Sequence, residues 1–180
     1  MDGKSVAQSF TLFCISSLAI LSLGSCKNYS VSLNDNLVYT PPALFTKFTI
    51  ADERLRTCVE QTIIDKHISK AEDLQQLNCS NAGIVSLAGL ETFTAIEQLN
   101  LSENALTSVS QLSNLAQLRQ LSLRKNNLTH AEPLLHLLHL TLLDVSENKN
   151  LSCGDLHQLV SNFHKGELTA TLPEQCAKGL

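Results

Sequence analysis

Four leucine-bearing segments recur at one fixed interval: Leu74-Leu77-Cys79, Ile96-Leu99-Leu101, Leu118-Leu121-Leu123 and Leu140-Leu143-Val145 each restart 22 residues after the last. A unit this short cannot bury an apolar face alone, so it must stack on its neighbours, and a strict period commits the chain to a solenoid. Counting from the first apolar residue, positions 1, 4 and 6 are apolar, position 9 is Asn, and positions 11, 14, 17 and 20 are small or apolar. The second unit reads Ile96, Leu99, Leu101, Asn104, Leu106, Val109, Leu112, Leu115, and the third repeats it as Leu118, Leu121, Leu123, Asn126, Leu128, Ala131, Leu134, Leu137.

Positions 4 and 6 differ by two, the spacing of inward side chains on a short strand. Positions 11 to 20 step by three, which predicts 3₁₀-like or extended turns on the outer side rather than a long helix. An Asn inside the bend can satisfy backbone groups that would otherwise be buried without partners. Asn104, Asn126 and Asn148 are therefore expected to form a stacked structural ladder. The pattern slips at both ends: Asn81 falls one place early, with Ala82 at position 9, and Leu151 comes one residue late. Atypical terminal units are what a capped solenoid needs.

This repeat resembles the 22-residue class of bacterial leucine-rich repeat proteins, the internalin-like group, over roughly residues 49 to 176. The segment from Ile50 to Val59, followed by that from Leu77 to Ile84, is similar to the helical N-terminal cap of that group. The resemblance implies an α/β solenoid with short parallel strands and capped ends, and a role in protein recognition.

At the N-terminus, Lys4 precedes an apolar stretch from Phe10 to Leu23, too short for the ~20 residues of a membrane-spanning helix and suited to a secretory signal. It ends in Leu23-Gly24-Ser25-Cys26, which resembles the bacterial lipobox, where the Cys26 sulfur takes a diacylglycerol after cleavage. Lys27 rather than Asp at the second mature position points to sorting to the outer membrane. The chain then divides into a signal (1–25), a lipidated tether (26–48), a helical N-terminal cap (49–73), repeats (74–151) and a C-terminal cap (152–180). Residues 27 to 48 are polar, contain Pro41-Pro42 and show no helical or clear strand pattern.

Cysteine usage agrees with export. With Cys14 removed and Cys26 lipidated, Cys58, Cys79, Cys153 and Cys176 remain, an even number. Cys79 occupies an inward strand position and Cys58 shares a helical face with Leu55, Val59 and Thr62, so these two are expected to join. Cys153 and Cys176 bracket the other cap. Each bridge closes a loop of roughly 20 residues and should contribute about 3 kcal/mol. No CxxC pair supports zinc instead. Asp52 is expected to cap a helix running to about Asp65, and Asp155 to cap a second with Leu156, Leu159, Val160 and Phe163 inward. Leu168, Ala170 and Leu172 alternate as a last strand that Pro173 ends.

Catalytic signals are missing from the sequence. His130, His136 and His139 fall between inward leucines and read as solvated, not as metal ligands, and seven glycines leave little for a phosphate-binding loop. A net charge of −4 without a basic run argues against nucleic acid. No enzyme activity, metal or cofactor is expected, and the chain is expected to be monomeric. The surface that remains is the outward face of the strands. Position 3 carries Gln76, Gln98, Gln120 and Leu142; position 5 carries Asn78, Asn100, Ser122 and Asp144; position 7 carries Ser80, Ser102, Arg124 and Ser146. At position 8, Glu103, Lys125 and Glu147 alternate in sign and should neutralise one another.

The preferred contact patch for a partner is Gln98, Asn100, Gln120, Ser122, Arg124, Leu142 and Asp144. The competing reading pairs Arg124 with Asp144 or Glu103 and packs Leu142 under the C-terminal cap. The expected function is an outer-membrane-anchored lipoprotein whose repeats bind a protein or peptide; the alternative is a passive structural or assembly component of the envelope.

Overall fold

The computed structural model describes residues 31–33, 36–164 and 167–177, so the expected signal and the Cys26 lipidation site lie outside the described residues. The chain divides into two units between Pro41 and Pro42. In the first, β1 (Val31–Leu33) pairs antiparallel with β2 (Asn36–Tyr39), with an irregularity between Val31 and Ser32. The tether expected over 26–48 thus holds a hairpin. Strands of three and four residues are too short for alternation to stand out in the sequence.

The second unit opens earlier than the boundary drawn at residue 49. The Phe45 N–H donates to the Ile68 carbonyl at 2.9 Å, and Phe45 and Phe48 meet the buried Phe93 edge-on, with centroids 5.9 and 5.3 Å away. Gly89, at φ +100°, lets Thr49 and Ile50 lie against the first repeat; a Cβ there would strike the Thr49 carbonyl. Residues 42–48 therefore belong to the domain.

Helix α1 (Glu53–Lys66) starts at Asp52, whose carboxylate accepts from the Arg54 and Leu55 N–H groups. It buries Leu55, Val59 and Ile63, while Cys58 and Thr62 stay half-buried. Five strands follow: β3 (Gln76–Asn78), β4 (Gln98–Asn100), β5 (Gln120–Ser122), β6 (Leu142–Asp144) and β7 (Thr169–Thr171). They form one all-parallel sheet in that order. Its central residues Leu77, Leu99, Leu121, Leu143 and Ala170 stand in register, the first four buried. Short 3₁₀ turns at Leu90–Thr92, Ser110–Asn114 and Glu132–His136 make the outer side, because a step of three fits a helix with three residues per turn.

The repeats are tied together by asparagine. Asn126 donates to the carbonyls of Leu101 and Leu123 at 3.0 and 2.9 Å, and its oxygen accepts from Leu106 N–H. Asn104 makes the same contacts to Cys79, Leu101, Ala82 and Ile84, and Asn148 to Leu123, Val145 and Leu128. Each amide therefore staples its own bend to that of the preceding repeat.

Disulfides join Cys58 to Cys79 and Cys153 to Cys176. Helix α2 (Cys153–Ser161) is preceded by Ser152, not Asp155. Asp155 lies in its first turn and accepts the Ala131 N–H at 3.2 Å, so it ties the cap to the last repeat instead of capping the helix.

Candidate functional site

The outward strand residues sort into three rows by what they already hold. At position 5 the side chains close the bend that follows each strand: Asn78 accepts from Ser80 N–H, Asn100 from Ser102 N–H, and Asp144 from both the N–H and the hydroxyl of Ser146. Ser122 shares a hydrogen bond with the Ser102 hydroxyl at 2.6 Å. These residues point outward, but one side-chain oxygen of each is engaged locally.

The second row is ionic. Arg124 Nε donates to Glu147 at 2.8 Å, another of its nitrogens lies 3.7 Å from Glu103, and Lys125 donates to Glu103 at 2.8 Å. The hydrogen bond and charge of Lys125 hold the Glu103 carboxyl below its ordinary range, and the bond to Glu147 raises the Arg124 guanidinium. The backbone explains the geometry: Asn81, Glu103, Lys125 and Glu147, one per repeat, are all left-handed, with φ between 53° and 59°. That conformation is uncommon outside glycine, and it turns position 8 back toward the neighbouring repeat. A cleft of about 490 Å³ runs beside this row, lined by Glu103, Lys125 and Glu147, by the exposed Lys149 and by asparagines that include Asn127 and Asn150.

The third row is different. Gln76, Gln98 and Gln120 stand in register on adjacent strands, exposed, and Leu142 continues the row with 43% of its surface open. Leu142 is thus not packed under the C-terminal cap. These residues floor a groove of about 460 Å³ on the concave face. Thr62, Asp65 and Lys66 of α1 wall one end of it. Lys66 Nζ donates to the Gln76 carbonyl at 3.1 Å and Gln61 donates to Asp65 at 2.7 Å, which hold that wall in place. The wall was not picked out from the sequence, yet a signal was there: positions 62, 65 and 66 follow Cys58 on one helical face, and Cys58 is bonded to the first strand.

Of the seven expected contact residues, Gln98, Gln120 and Leu142 lie together with no role in the bends or the ion pairs. Asn100 and Ser122 line the same groove with one oxygen each already bonded, and Arg124 and Asp144 lie outside its lining, bonded to Glu147 and Ser146. His130, His136 and His139 are all exposed on the outer turns and gather no further ligands. Among the described residues there is no cluster of three metal-ligating side chains, and no helix long and apolar enough to cross a membrane.

No family model and no curated protein matches this chain. Solved structures do. The crystal structure of an internalin (inlF) from Listeria monocytogenes superposes with a TM-score of 0.52 at 27% identity, covering 58% of this chain and 34% of that one. An internalin C2 (inlC2) from the same organism gives 0.52 at 18% identity, covering 61% of this chain and 53% of that one, a likeness of fold alone. The chain thus spans about a third of the length of the first and about half of the second. With the in-register strands and the helical N-terminal cap, these neighbours show that the chain has the leucine-rich repeat fold of the internalins.

Proposed function

We propose that the repeat domain binds a protein or peptide partner through its concave face, while a lipid on Cys26 holds the chain to the outer membrane of a bacterial envelope. The observation that carries the binding reading is the row Gln76-Gln98-Gln120-Leu142, exposed along a groove and unused by the fold. The lipobox-like Leu23-Gly24-Ser25-Cys26 carries the anchoring reading. Binding, not catalysis, is the activity assigned.

The rival reading is a passive envelope component. It is favoured by the ionic row, whose charges are spent on one another. A photo-crosslinking residue placed at Gln98 and, as a control, at the exposed outer-side Thr107 separates the two in intact envelopes. Adducts from position 98 and none from 107 support binding. Equal yields at both positions, or none at either, leave the passive reading. In the same strain Cys26→Ser should shift the protein from the membrane to the soluble fraction, because stable anchoring needs more than one acyl chain. Full retention in the membrane would refute the lipid anchor.

A further inference from the structure

We infer that the groove takes an extended peptide segment, laid across the strands and held by its own backbone amides, with an apolar side chain at the Leu142 end. This rests on the concave-face reading above and goes on to name the ligand class. Three observations lead to it.

The first is size. Five strands at ~4.8 Å spacing, each showing about 10 to 12 Å, offer roughly 200 to 300 Å². A standard interface needs about 800 Å² per partner. The floor is therefore too small for a folded partner or a second copy of this chain, and it matches a short segment.

The second is chemistry. The floor of the row bears no charge, and each glutamine amide offers two donors and an acceptor, the same complement that a peptide unit needs. A helix or sheet interior has already spent its backbone groups on itself, so an amide row selects a chain whose N–H and C=O groups are free. That means an extended segment. The charges at the groove are confined to its α1 end, where Asp65 and Lys66 are of opposite sign and each is bonded to a neutral group, and Arg124 is paired with Glu147, so the glutamine floor itself offers a charged ligand no counter-charge.

The third is spacing and polarity of the groove. From Gln76 to Gln120 is two strand steps, ~10 Å, or about three residues of extended chain at ~3.3 Å each; Leu142 lies one step further. A segment of four to five residues fills the row. Its α1 end is closed by Thr62, Asp65 and Lys66, whereas among the described residues its lining stops at Leu142, beside Thr169 of β7. A longer chain would therefore enter from the β7 side. The exposed Leu142 supplies the only side-chain preference on the row, for an apolar residue.

The test uses end-capped pentapeptides ending in leucine, with the other positions drawn from Ala, Ser, Thr and Gln, and the same set with alternate backbone nitrogens methylated. Titration into the domain, followed by side-chain amide NMR, should shift the Gln76, Gln98 and Gln120 NH₂ signals with the plain peptides, and methylation should weaken binding about ten-fold, the loss of one to two hydrogen bonds. Gln98→Leu should weaken the plain set by a similar factor and leave the methylated set unchanged. Leu142→Ser should erase any preference for a leucine end over a serine end. Equal binding of both peptide sets, or shifts confined to other residues, would overturn the inference. If crosslinking from position 98 then still yields an envelope partner, concave-face binding stands and only the extended-peptide class falls; if that crosslink is also lost, both fall.

Discussion

The glutamine row and the ionic row lie a few residues apart on the same repeats, and both face solvent. They have opposite fates. In the ionic row the left-handed residue at position 8 folds Glu103, Lys125 and Glu147 toward their neighbours, where opposite charges meet across repeats and Arg124 bridges two of them. The glutamines sit within straight strands, where in-register side chains run parallel and like meets like. The lesson is that an outward polar residue is free for a ligand only when its repeat-mates cannot satisfy it. Period and charge alternation together produce self-neutralisation, whereas the in-register glutamines, though their amides could bond one another, make no side-chain hydrogen bond among the described residues.

Beneath both rows lies one core, and the largest effect should come from breaking it. Leu121→Asp places a carboxylate at a fully buried position between both rows. The cost, several kcal/mol, rivals a total stability of ~5 to 15 kcal/mol, so circular dichroism should show no cooperative unfolding transition. A folded variant with an unchanged midpoint would mean that the rows are not supported by a shared core.

Next comes the ladder that keeps the rows in register. Asn126→Ala leaves the Leu106 N–H without its partner and removes one of two asparagine donors from each of the Leu101 and Leu123 carbonyls, which Asn104 and Asn148 still bond. A loss of about 2 kcal/mol is expected in urea unfolding, at ~1 to 3 kcal/mol for the one stranded buried group. A change below ~1 kcal/mol would show that water replaces the amide.

A smaller effect is expected at the junction between α1 and the first repeat. Asp52 caps the helix with one oxygen and accepts the Val85 and Ser86 N–H groups with the other, at 2.8 and 3.1 Å. Partial burial pushes its carboxyl up, but the backbone donors, Val85 first, outweigh this and hold it below its ordinary value. A carboxyl depressed in the folded state stabilises above the unfolded value of about 4 and loses that contribution as pH falls through the folded value. Asp52→Asn keeps a helix cap but loses one acceptor oxygen, the one that bonds Val85 and Ser86, and should cost about 1 kcal/mol at neutral pH and flatten the stability profile between about pH 5 and 3. An unaltered slope would assign the acid sensitivity to other carboxylates.

The smallest effects test the two rows directly. Arg124→Ala removes the bridge of the ionic row, and exposed ion pairs contribute little, so the thermal midpoint should move by no more than about 2 °C and crosslinking from position 98 should persist. Loss of crosslinking with folding intact would move the partner site onto the ionic row.

Much of this architecture is legible in the residues. The inward set at positions 1, 4, 6, 11, 14, 17 and 20, the 3₁₀ turns and the asparagine staples follow from the period, because each repeat meets a copy of itself and symmetry fixes what it touches. The disulfide partners follow from inward geometry within single caps. The hairpin of β1 and β2 was hidden because its strands are too short to show alternation, and the entry of Phe45 and Phe48 into the domain and the role of Asp155 because neither recurs and each is set by a contact distant in sequence.

The patch shows the same division at the level of single side chains. That Gln98, Asn100, Gln120, Ser122, Arg124, Leu142 and Asp144 share one face was readable from strand alternation alone, a local property of the backbone. Which of them remain free was decided only when the chain closed: the bends after the strands claimed Asn100 and Asp144, the adjoining repeats claimed Ser122 and Arg124, and α1, held by Cys58 and Lys66, turned the remaining glutamines and Leu142 into a groove with one closed end. Orientation is carried by each residue's own dihedrals, but hydrogen-bond commitment depends on partners that only packing brings within reach.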